Sequence, residues 1–549
     1  MNEIQGLNST THGLNKKIIS NMKKLMKWGL AATFICCASV FTSCTSDNDD
    51  NPVINPDEPQ QPLADYTIIY YGHGGGNLDL YLLKNIGQFF QSDTESRKNV
   101  SICVQFKFST LKAMQETYEH LRKNADPNNL KEVAFVESIK DCYPYAEKTT
   151  RFVVAQDADT EEAMNAAITG NLIGPDNADI SRADSLTNFI NWAAKTCPAR
   201  KYILIMSDHG GGYLPHAELP SADAAAARQT RGVIYDNGHN GAHFTAKTLA
   251  QAISHASVRP SVVYCDACLM NTVEYHFELA PVTDYLMLST FLVPGDGGNY
   301  TELVEALSAN PDDLEQALKR FAKFSVAAWD KDHENDSDPY YHDLSIYRTA
   351  DIDAFGAALK TFTDRLTDAY QNGGDEVRAK IDEVTANAYR VESEQPEFDL
   401  MNYLFGLYAA LPNDVFGDAS ITLAKAYSNY FVQQENSKWL IENGHTVSLS
   451  VLLGCQGHYI LKTEREEKKG EYDLYLYDAD GKIYLLLDED GARMELGSWQ
   501  STLDATYGQL RFDNLTGWSR WLKLNQQEPN LECFVEPYTA IWSGPKGRK

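Results

Sequence analysis

Short, uninterrupted runs of apolar residues recur between residues 66 and 290. Strands that are buried on both faces have this pattern, because helices cover both sides of a parallel sheet. The runs are YTIIYYG (66–72), VSICVQF (100–106), RFVVAQ (151–156), YILIMS (202–207), SVVYC (261–265) and YLMLST (285–290).

The segments between these runs have the periodicity of amphipathic helices. In DSLTNFINWAAK (184–195), apolar residues follow Leu186 at i+3, i+4 and i+7, and Asp184 or Ser185 is placed to cap the first turn. FTAKTLAQAISHA (244–256) repeats the spacing. Strands alternating with such helices predict an α/β fold with an open, mostly parallel sheet flanked by helices.

The pattern changes after residue 308. We expect a core at 65–308, a mainly helical continuation at 309–445 and a β-rich region at 446–549. In the last region, residues 472–491 predict a hairpin across an Asp-Ala-Asp-Gly turn. The amphipathic segment GWSRWLK (517–523) is expected to pack its tryptophans into a core.

The N-terminus has the features of an export signal. From Met22, lysines precede a short apolar run that ends at Cys44, so residues 1–43 are predicted to be removed. VFTSC resembles a bacterial lipobox, which implies a lipid on the Cys44 sulfur, whereas an ordinary signal with an incidental cysteine is the alternative. Residues 44–64 form an acidic, proline-containing tether that resembles the surface-export signal of Bacteroidetes lipoproteins. We therefore expect an outer-membrane or cell-surface lipoprotein, with a periplasmic location as the alternative.

Charge narrows the range of partners. The 549-residue chain has a net charge of −28, which argues against nucleic acid and against anionic membrane surfaces. We expect membrane contact only through the N-terminal lipid, and a monomer. The ten cysteines form no dense framework, so disulfides are not expected to be the basis of the fold.

Candidate chemistry follows two of the predicted strands. His209, in SDHGGGY, comes directly after the run 202–207, and Cys268, in CDACLM, follows the run 261–265. Parallel strands joined by a right-handed crossover often lie side by side, and their carboxyl ends share one edge of the sheet. An imidazole and a thiol within reach of each other there would form a nucleophilic pair.

The surrounding backbone suggests how such a pair would be supported. Cys268 is predicted to open a helix, where unpaired amides and the helix dipole would favour its thiolate. The backbone N–H groups of Gly210 and Cys268 are the expected donors to a developing oxyanion.

Other chemistries fit the sequence less well than this pair. A lipase-type mechanism needs a G-x-S-x-G elbow, which the sequence lacks. A redox pair of Cys268 with Cys265 is disfavoured because Cys265 closes an apolar strand, and His239 and His243 precede the cysteines that a zinc site would need. The earlier copy GHGGGN, at 72–77, has no nucleophile at the next strand end, so His73 is expected to shape a glycine loop.

These motifs resemble those of the clostripain family of cysteine peptidases, in the caspase–gingipain clan. KYILIMSDHGGGY, VVYCDACLMNTVEY and STFLVPGDGGNY carry the resemblance over residues 66–300, and weaker matches follow. The resemblance implies a caspase-like fold and an endopeptidase in which Cys268 is the nucleophile and His209 the general acid/base. It needs no third triad member, no metal and no cofactor, although a calcium requirement stays open. Proteins or peptides would be the substrates.

The resemblance also implies how the substrate is chosen. Asp266 would lie in the S1 pocket with Ser289 and pair with Arg or Lys at P1; capping the turn is its alternative role. The family's further acids are replaced here by Thr290, Phe291 and Val293. Those replacements leave open a second reading, an inactive peptide- or glycan-binding lipoprotein.

Family members mature by cleavage of a loop between the histidine and cysteine strands. Here the segment 214–233 is long and rich in small residues, and it carries Arg228 and Arg231 near its end. Exposed segments of this composition are the usual sites of proteolysis. Self-cleavage after Arg228 or Arg231 is therefore predicted.

Overall fold

The fold is built on one large mixed sheet. A computed structural model describes residues 63–213, 232–239, 241–334, 341–389, 391, 397–442, 447–453 and 506–525, together with the backbone of four strands between 460 and 498. Nine strands form the large sheet, in the order β12-β10-β9-β8-β5-β1-β2-β3-β4. The strands are β1 (Ala64–His73), β2 (Val100–Lys107), β3 (Thr149–Val153), β4 (Leu172–Ile173), β5 (Ala199–Ser207), β6 (Val233–Asp236), β7 (Ala242–Phe244), β8 (Val262–Asp266), β9 (Tyr285–Leu288), β10 (Asp343–Arg348), β11 (Glu397–Asp399), β12 (Phe431–Asn436), β13 (Ser450–Leu452), β14 (Ile460–Arg465), β15 (Lys468–Tyr477), β16 (Lys482–Leu486) and β17 (Arg493–Ser498).

Helices cover the large sheet and fill the second half of the chain. They are α1 (Asp79–Gln91), α2 (Leu111–Asn124), α3 (Leu130–Ser138), α4 (Glu161–Gly170), α5 (Ala183–Thr196), α6 (Ala246–Ser254), α7 (Val273–Leu279), α8 (Tyr300–Ala309), α9 (Leu314–Asp332), α10 (Ile352–Asn372), α11 (Gly374–Ala386), α12 (Leu400–Ala410), α13 (Asn413–Phe416), α14 (Asp418–Tyr430), α15 (Lys438–Glu442), α16 (Arg511–Thr516) and α17 (Trp518–Leu524). Among the described residues, none of these helices combines the length and apolarity that crossing a membrane requires.

Alternate residues of the central strands enter two separate cores. Ile68 and Tyr70 of β1 pack with side chains of α1, α8 and α9 on one face. Ile69 and Tyr71 pack with α5, α6 and α7 on the other face. A strand whose side chains are buried on both sides has no need of polar positions, which explains the continuous apolar runs in the sequence.

The α/β prediction is confirmed, and the details differ at three places. The strand predicted at 151–156 ends at Val153 and pairs antiparallel with β2. Helix α5 begins one residue before Asp184, after Arg182, and no side chain caps it. Residues 309–445 are mainly helical, yet they add β10 and β12 to the large sheet, so the sheet does not end at residue 308.

The C-terminal residues return to the main body. Trp518 and Trp521 of α17 are fully buried, and the Trp518 indole N–H donates to the carbonyl of Leu452 at 2.8 Å. This matches the predicted core role of the tryptophans. The predicted hairpin is also present, since β15 and β16 pair antiparallel; its turn lies outside the described residues.

Candidate active site

Three strand ends meet at one edge of the large sheet. Gly72 of β1 is in register with Ser207 of β5, which is in register with Asp266 of β8. From β1 the chain passes to β2 on one side and later to β5 on the other, so the direction of winding reverses between β1 and β5. Ligand crevices of open sheets form at such reversal points.

The loops that carry His209 and Cys268 touch each other. A Cβ atom added to Gly210 would lie 2.2 Å from the Cys268 carbonyl oxygen and 2.8 Å from the Cys268 nitrogen. Only a glycine permits this approach, because real Cβ atoms do not come so close to backbone atoms. The residue next to His209 therefore packs directly on the backbone of Cys268.

Cys268 lies in a turn and not at the start of a helix. Helix α7 begins five residues later, at Val273, so the predicted support of the thiolate by a helix N-terminus is wrong. The residue after the cysteine, Leu269, has a φ of 63°, which interrupts any regular helix. The Val293 N–H lies 3.3 Å from the Cys268 sulfur and takes the place of the expected helix amides as a donor to negative charge there.

Asp208 holds the histidine loop in place. One carboxylate oxygen accepts the N–H of His209 at 2.6 Å, and the other accepts the N–H of Tyr235 at 2.6 Å. Both bonds go to backbone donors, so Asp208 fixes the path of the chain and leaves the His209 imidazole unconstrained by it.

The first histidine motif lies beside the second. His73 is fully buried, with Nδ1 3.5 Å from Asp208 and Nε2 3.7 Å from Asp236. The Lys107 ammonium lies 2.7 Å from both Asp236 oxygens. Burial alone would raise the pKa of Asp236, but His73 and Lys107 outweigh it and hold that pKa below its usual value. His73 thus lies in a buried cluster with two carboxylates and an ammonium.

Comparison with known proteins identifies the family. A model of the peptidase C11, or clostripain, family matches residues 82–514. The chain belongs to the clostripain family. Clostripain of Hathewaya histolytica is 28% identical over 151 residues, which are 25% of this chain and 27% of that protein. The chain thus spans about a quarter of the length of this curated relative.

Solved structures of bacterial C11 proteases are also similar to the chain. A C11 cysteine protease from Bacteroides thetaiotaomicron, in complex with an irreversible peptide inhibitor, is 14% identical, with a TM-score of 0.48 and coverage of 83% of this chain and 99% of that one. An inactive zymogen C11 protease from Parabacteroides distasonis is 12% identical with the same TM-score and coverage.

Asp266, the carboxylate that the family resemblance assigns to the S1 pocket, is enclosed by protein. Asp266 is 4% exposed and accepts hydrogen bonds from the hydroxyls of Tyr264 and Tyr300 and from the N–H of Gly298. A Cβ atom on Gly297 would lie 2.6 Å from the Asp266 carboxylate, so the 294–299 loop covers it closely. Burial raises the pKa of Asp266 in spite of these three hydrogen bonds.

The second predicted S1 residue, Ser289, is also buried. Its hydroxyl is 3.0 Å from a carboxylate oxygen of Asp343, which also accepts the N–H groups of Thr290 and Phe291 at 2.7 and 3.1 Å. The other Asp343 oxygen accepts from Gln434 of β12. Ser289 and the two residues after it are therefore tied to β10 and do not supply polar groups to an open pocket.

Cys265 and one group of possible metal ligands lie in environments that bear on the redox and metal alternatives. Cys265 is fully buried, and burial raises the pKa of its thiol to about 12, which suits a structural cysteine. Ligand atoms of Asp179, Asp236 and His239 lie within 4.8 Å of one another, the one such group among the described residues. The Lys107 ammonium already bonds both oxygens of Asp236 there.

One polar neighbour of the candidate catalytic histidine was not predicted from the sequence. Asn77, the last residue of the first motif copy, places Oδ1 2.7 Å from His209 Nε2. The sequence did carry a topological signal for this contact. Two buried parallel strands, β1 and β5, each lead into the same His-Gly-Gly-Gly tetrapeptide. Three predicted sites, Cys44, Arg228 and Arg231, lie outside the described residues.

Proposed function

We propose that the chain is a cysteine endopeptidase that uses Cys268 as nucleophile and His209 as general acid/base. The observation that carries this proposal is the contact of Gly210 with the Cys268 backbone, which brings both loops to one crevice. Membership of the clostripain family supports the same assignment. The alternative of an inactive binding protein has no support, since both residues are present at the expected strand ends.

The proposed reaction proceeds in two stages. His209 takes the thiol proton as the Cys268 sulfur adds to the scissile carbonyl, and the N–H groups of Gly210 and Cys268 stabilise the oxyanion. The C–N bond then breaks, and the imidazolium returns its proton to the leaving amine. Water, deprotonated by His209, hydrolyses the thioacyl-enzyme and releases the acid and the free thiol.

Two matched cysteine variants test the mechanism. Cys268→Ala is expected to lower peptide turnover to the background rate, and Cys265→Ala, three residues away in the core, is expected to leave turnover within about twofold of the wild type. A peptide acyloxymethyl ketone should label the wild type and Cys265→Ala but not Cys268→Ala. Turnover that survives in Cys268→Ala would refute the mechanism.

The P1 residue is proposed to be Arg or Lys, with Asp266 as the carboxylate that pairs with it. The enclosure of Asp266 means that a P1 cation must displace a tyrosine hydroxyl and part of the 294–299 loop. Peptides with Arg, Lys, Asn or Leu before a reporter test this preference. Tyr300→Phe should speed cleavage after Arg by removing a competitor for the carboxylate. If the Leu or Asn peptide is cleaved faster than both basic ones, the basic preference is wrong.

Export, anchoring and maturation complete the proposal. We expect a lipid on Cys44, an outer-membrane or surface location, and self-cleavage after Arg228 or Arg231. Mass spectrometry of the mature N-terminus tests the lipid, and Cys44→Ala should release the protein from membranes. N-terminal sequencing of active enzyme tests the cleavage, which should be absent from Cys268→Ala. An intact 214–233 segment in active enzyme would contradict it.

A further inference from the structure

The loop after β1 is held by hydrogen bonds between its backbone and the side chains of His73, Ser109 and Thr117. The N–H of Gly75 donates to His73 Nδ1 at 2.6 Å, and the N–H of Gly76 donates to the Ser109 hydroxyl at 2.8 Å. The Thr117 hydroxyl donates to the carbonyl of Gly76 at 3.0 Å. Gly75 and Gly76 have φ values of 57° and 104°, which glycine adopts without strain. These bonds fix the part of the chain that leads into Asn77.

This loop lies against one edge of the His209 ring. A Cβ atom on Gly75 would be 2.7 Å from His209 Cδ2, so Gly75 packs on the ring without a side chain. Asn77 Oδ1 lies 2.7 Å from His209 Nε2. The Cδ2–Nε2 edge of the imidazole therefore faces the β1 loop. The opposite edge of the ring carries Nδ1, and β8, which leads to Cys268, lies on the other side of β5 from β1.

The contact with Asn77 selects one tautomer of neutral His209. An amide oxygen can only accept a hydrogen bond, so Nε2 must carry the proton. Nδ1 then holds the lone pair, on the edge away from the β1 loop. This is the state that a general base for the thiol requires.

A buried histidine elsewhere in the chain shows the same pairing with a different result. His276 Nε2 lies 2.7 Å from Asn271 Oδ1, which again fixes the proton on Nε2. Its Nδ1 is 2.5 Å from the Tyr430 hydroxyl, so both nitrogens have protein partners. At His209 the asparagine uses one nitrogen and leaves the second for the reaction.

We propose that Asn77 is the positioning residue of the active site: it holds the imidazole of His209 in the Nε2–H tautomer with Nδ1 directed at Cys268. This inference rests on the proposed peptidase function. It assigns a role to the first His-Gly-Gly-Gly copy, whose glycines let Asn77 reach His209.

Kinetics and spectroscopy of the full chain test the role. Asn77→Ala should lower kcat about threefold to tenfold, the range of one net hydrogen bond, and leave KM within about twofold. Asn77→Asp keeps an acceptor and adds a negative charge that favours the imidazolium. It should recover kcat near neutral pH and move the imidazole-controlled limb of the pH–rate profile to higher pH. Asn237→Ala is the control, because Asn237 follows β6 and its side chain lies beside Gly76; it should stay within about twofold of the wild type.

The tautomer itself can be measured without turnover. In ¹⁵N-histidine-labelled Cys268→Ala protein at alkaline pH, His209 should show the proton on Nε2, and this bias should weaken when Asn77→Ala is added. A proton on Nδ1 in the first protein, or an unchanged kcat in Asn77→Ala, would overturn the proposal. The two failures are separable, because a Cys268→Ala protein that remains active would reject the peptidase mechanism first.

Discussion

The two His-Gly-Gly-Gly segments have the same residues at the ends of neighbouring strands and opposite environments. His73 is fully buried between the carboxylates of Asp208 and Asp236. His209 is half-buried at the crevice, bonded to Asn77 and adjacent to the Cys268 loop. The first copy supplies support and the second is proposed to supply chemistry. A short motif therefore does not define the role of its histidine. The residues that the neighbouring strands bring next to it do.

The largest expected effect separates the two histidines by activity. His209→Gln removes the proposed base and should lower kcat/KM about 10²- to 10⁴-fold with little change in the thermal midpoint. His73→Gln should instead lower the thermal midpoint, since it disturbs a buried cluster. Peptide turnover and a thermal melt of both variants check this contrast. Equal losses of activity together with equal thermal midpoints would contradict it.

The stability of the fold should depend on the buried charges that surround His73 of the first copy. Lys107→Met leaves Asp236 charged and buried without its ammonium, which we expect to cost about 3–5 kcal/mol of unfolding free energy. Lys98→Met breaks an exposed pair with Glu95 and should cost about 0–1 kcal/mol. Urea unfolding measures both. A Lys107→Met loss as small as that of Lys98→Met would show that the cluster does not stabilise the site.

The contact between Gly210 of the second copy and Cys268 should be sensitive to a single added methyl group. Gly210→Ala forces the two loops apart, and a misplacement of about 1 Å can cost about 100-fold in kcat. Gly170→Ala, where nothing lies within 4 Å of the added Cβ, is the matched control and should leave kcat unchanged. Near-normal turnover in Gly210→Ala would argue that the contact is not needed for the reaction.

The smallest expected effect concerns another histidine, His276, which is buried and neutral. Burial lowers its pKa to about 3 from a usual value of 6.5. Because the unfolded chain takes up this proton first, stability is full above pH 6.5 and is lost as the pH falls toward 3. At pH 5 the loss should be about 2 kcal/mol. Urea midpoints at pH 7.5 and 5 for the wild type and His276→Gln check this; equal pH dependence would contradict it.

Residue patterns predicted the buried strands at the centre of the sheet and the candidate pair, but not β4, β10 or β12. Each strand that is buried on both faces is a continuous apolar run, and His209 and Cys268 follow two of them directly. The turn at Cys268 was mistaken for a helix start because residues 267–272 contain no glycine or proline, and the positive φ falls on Leu269.

Long-range contacts account for the other errors. Ser289 was expected in a pocket, but its partner Asp343 lies 54 positions later, on a strand that local periodicity does not relate to it. Asn77 was missed because its contact with His209 spans 132 positions and depends on how three glycines bend. Neither pairing has a local signature in the sequence.

Asp343 joins the segment after β9 to a remote part of the chain. That segment also bonds the turn that carries Cys268, since the carbonyls of Phe291 and Ser289 accept the N–H groups of Leu269 and Asn271. An engineer who exchanged residues 289–293 alone would therefore take the Ser289 and Thr290 hydroxyls away from Asp343, while the backbone bonds to Asp343 and to the cysteine turn would still constrain the path of the new segment. The smallest transplantable unit is the segment together with β10.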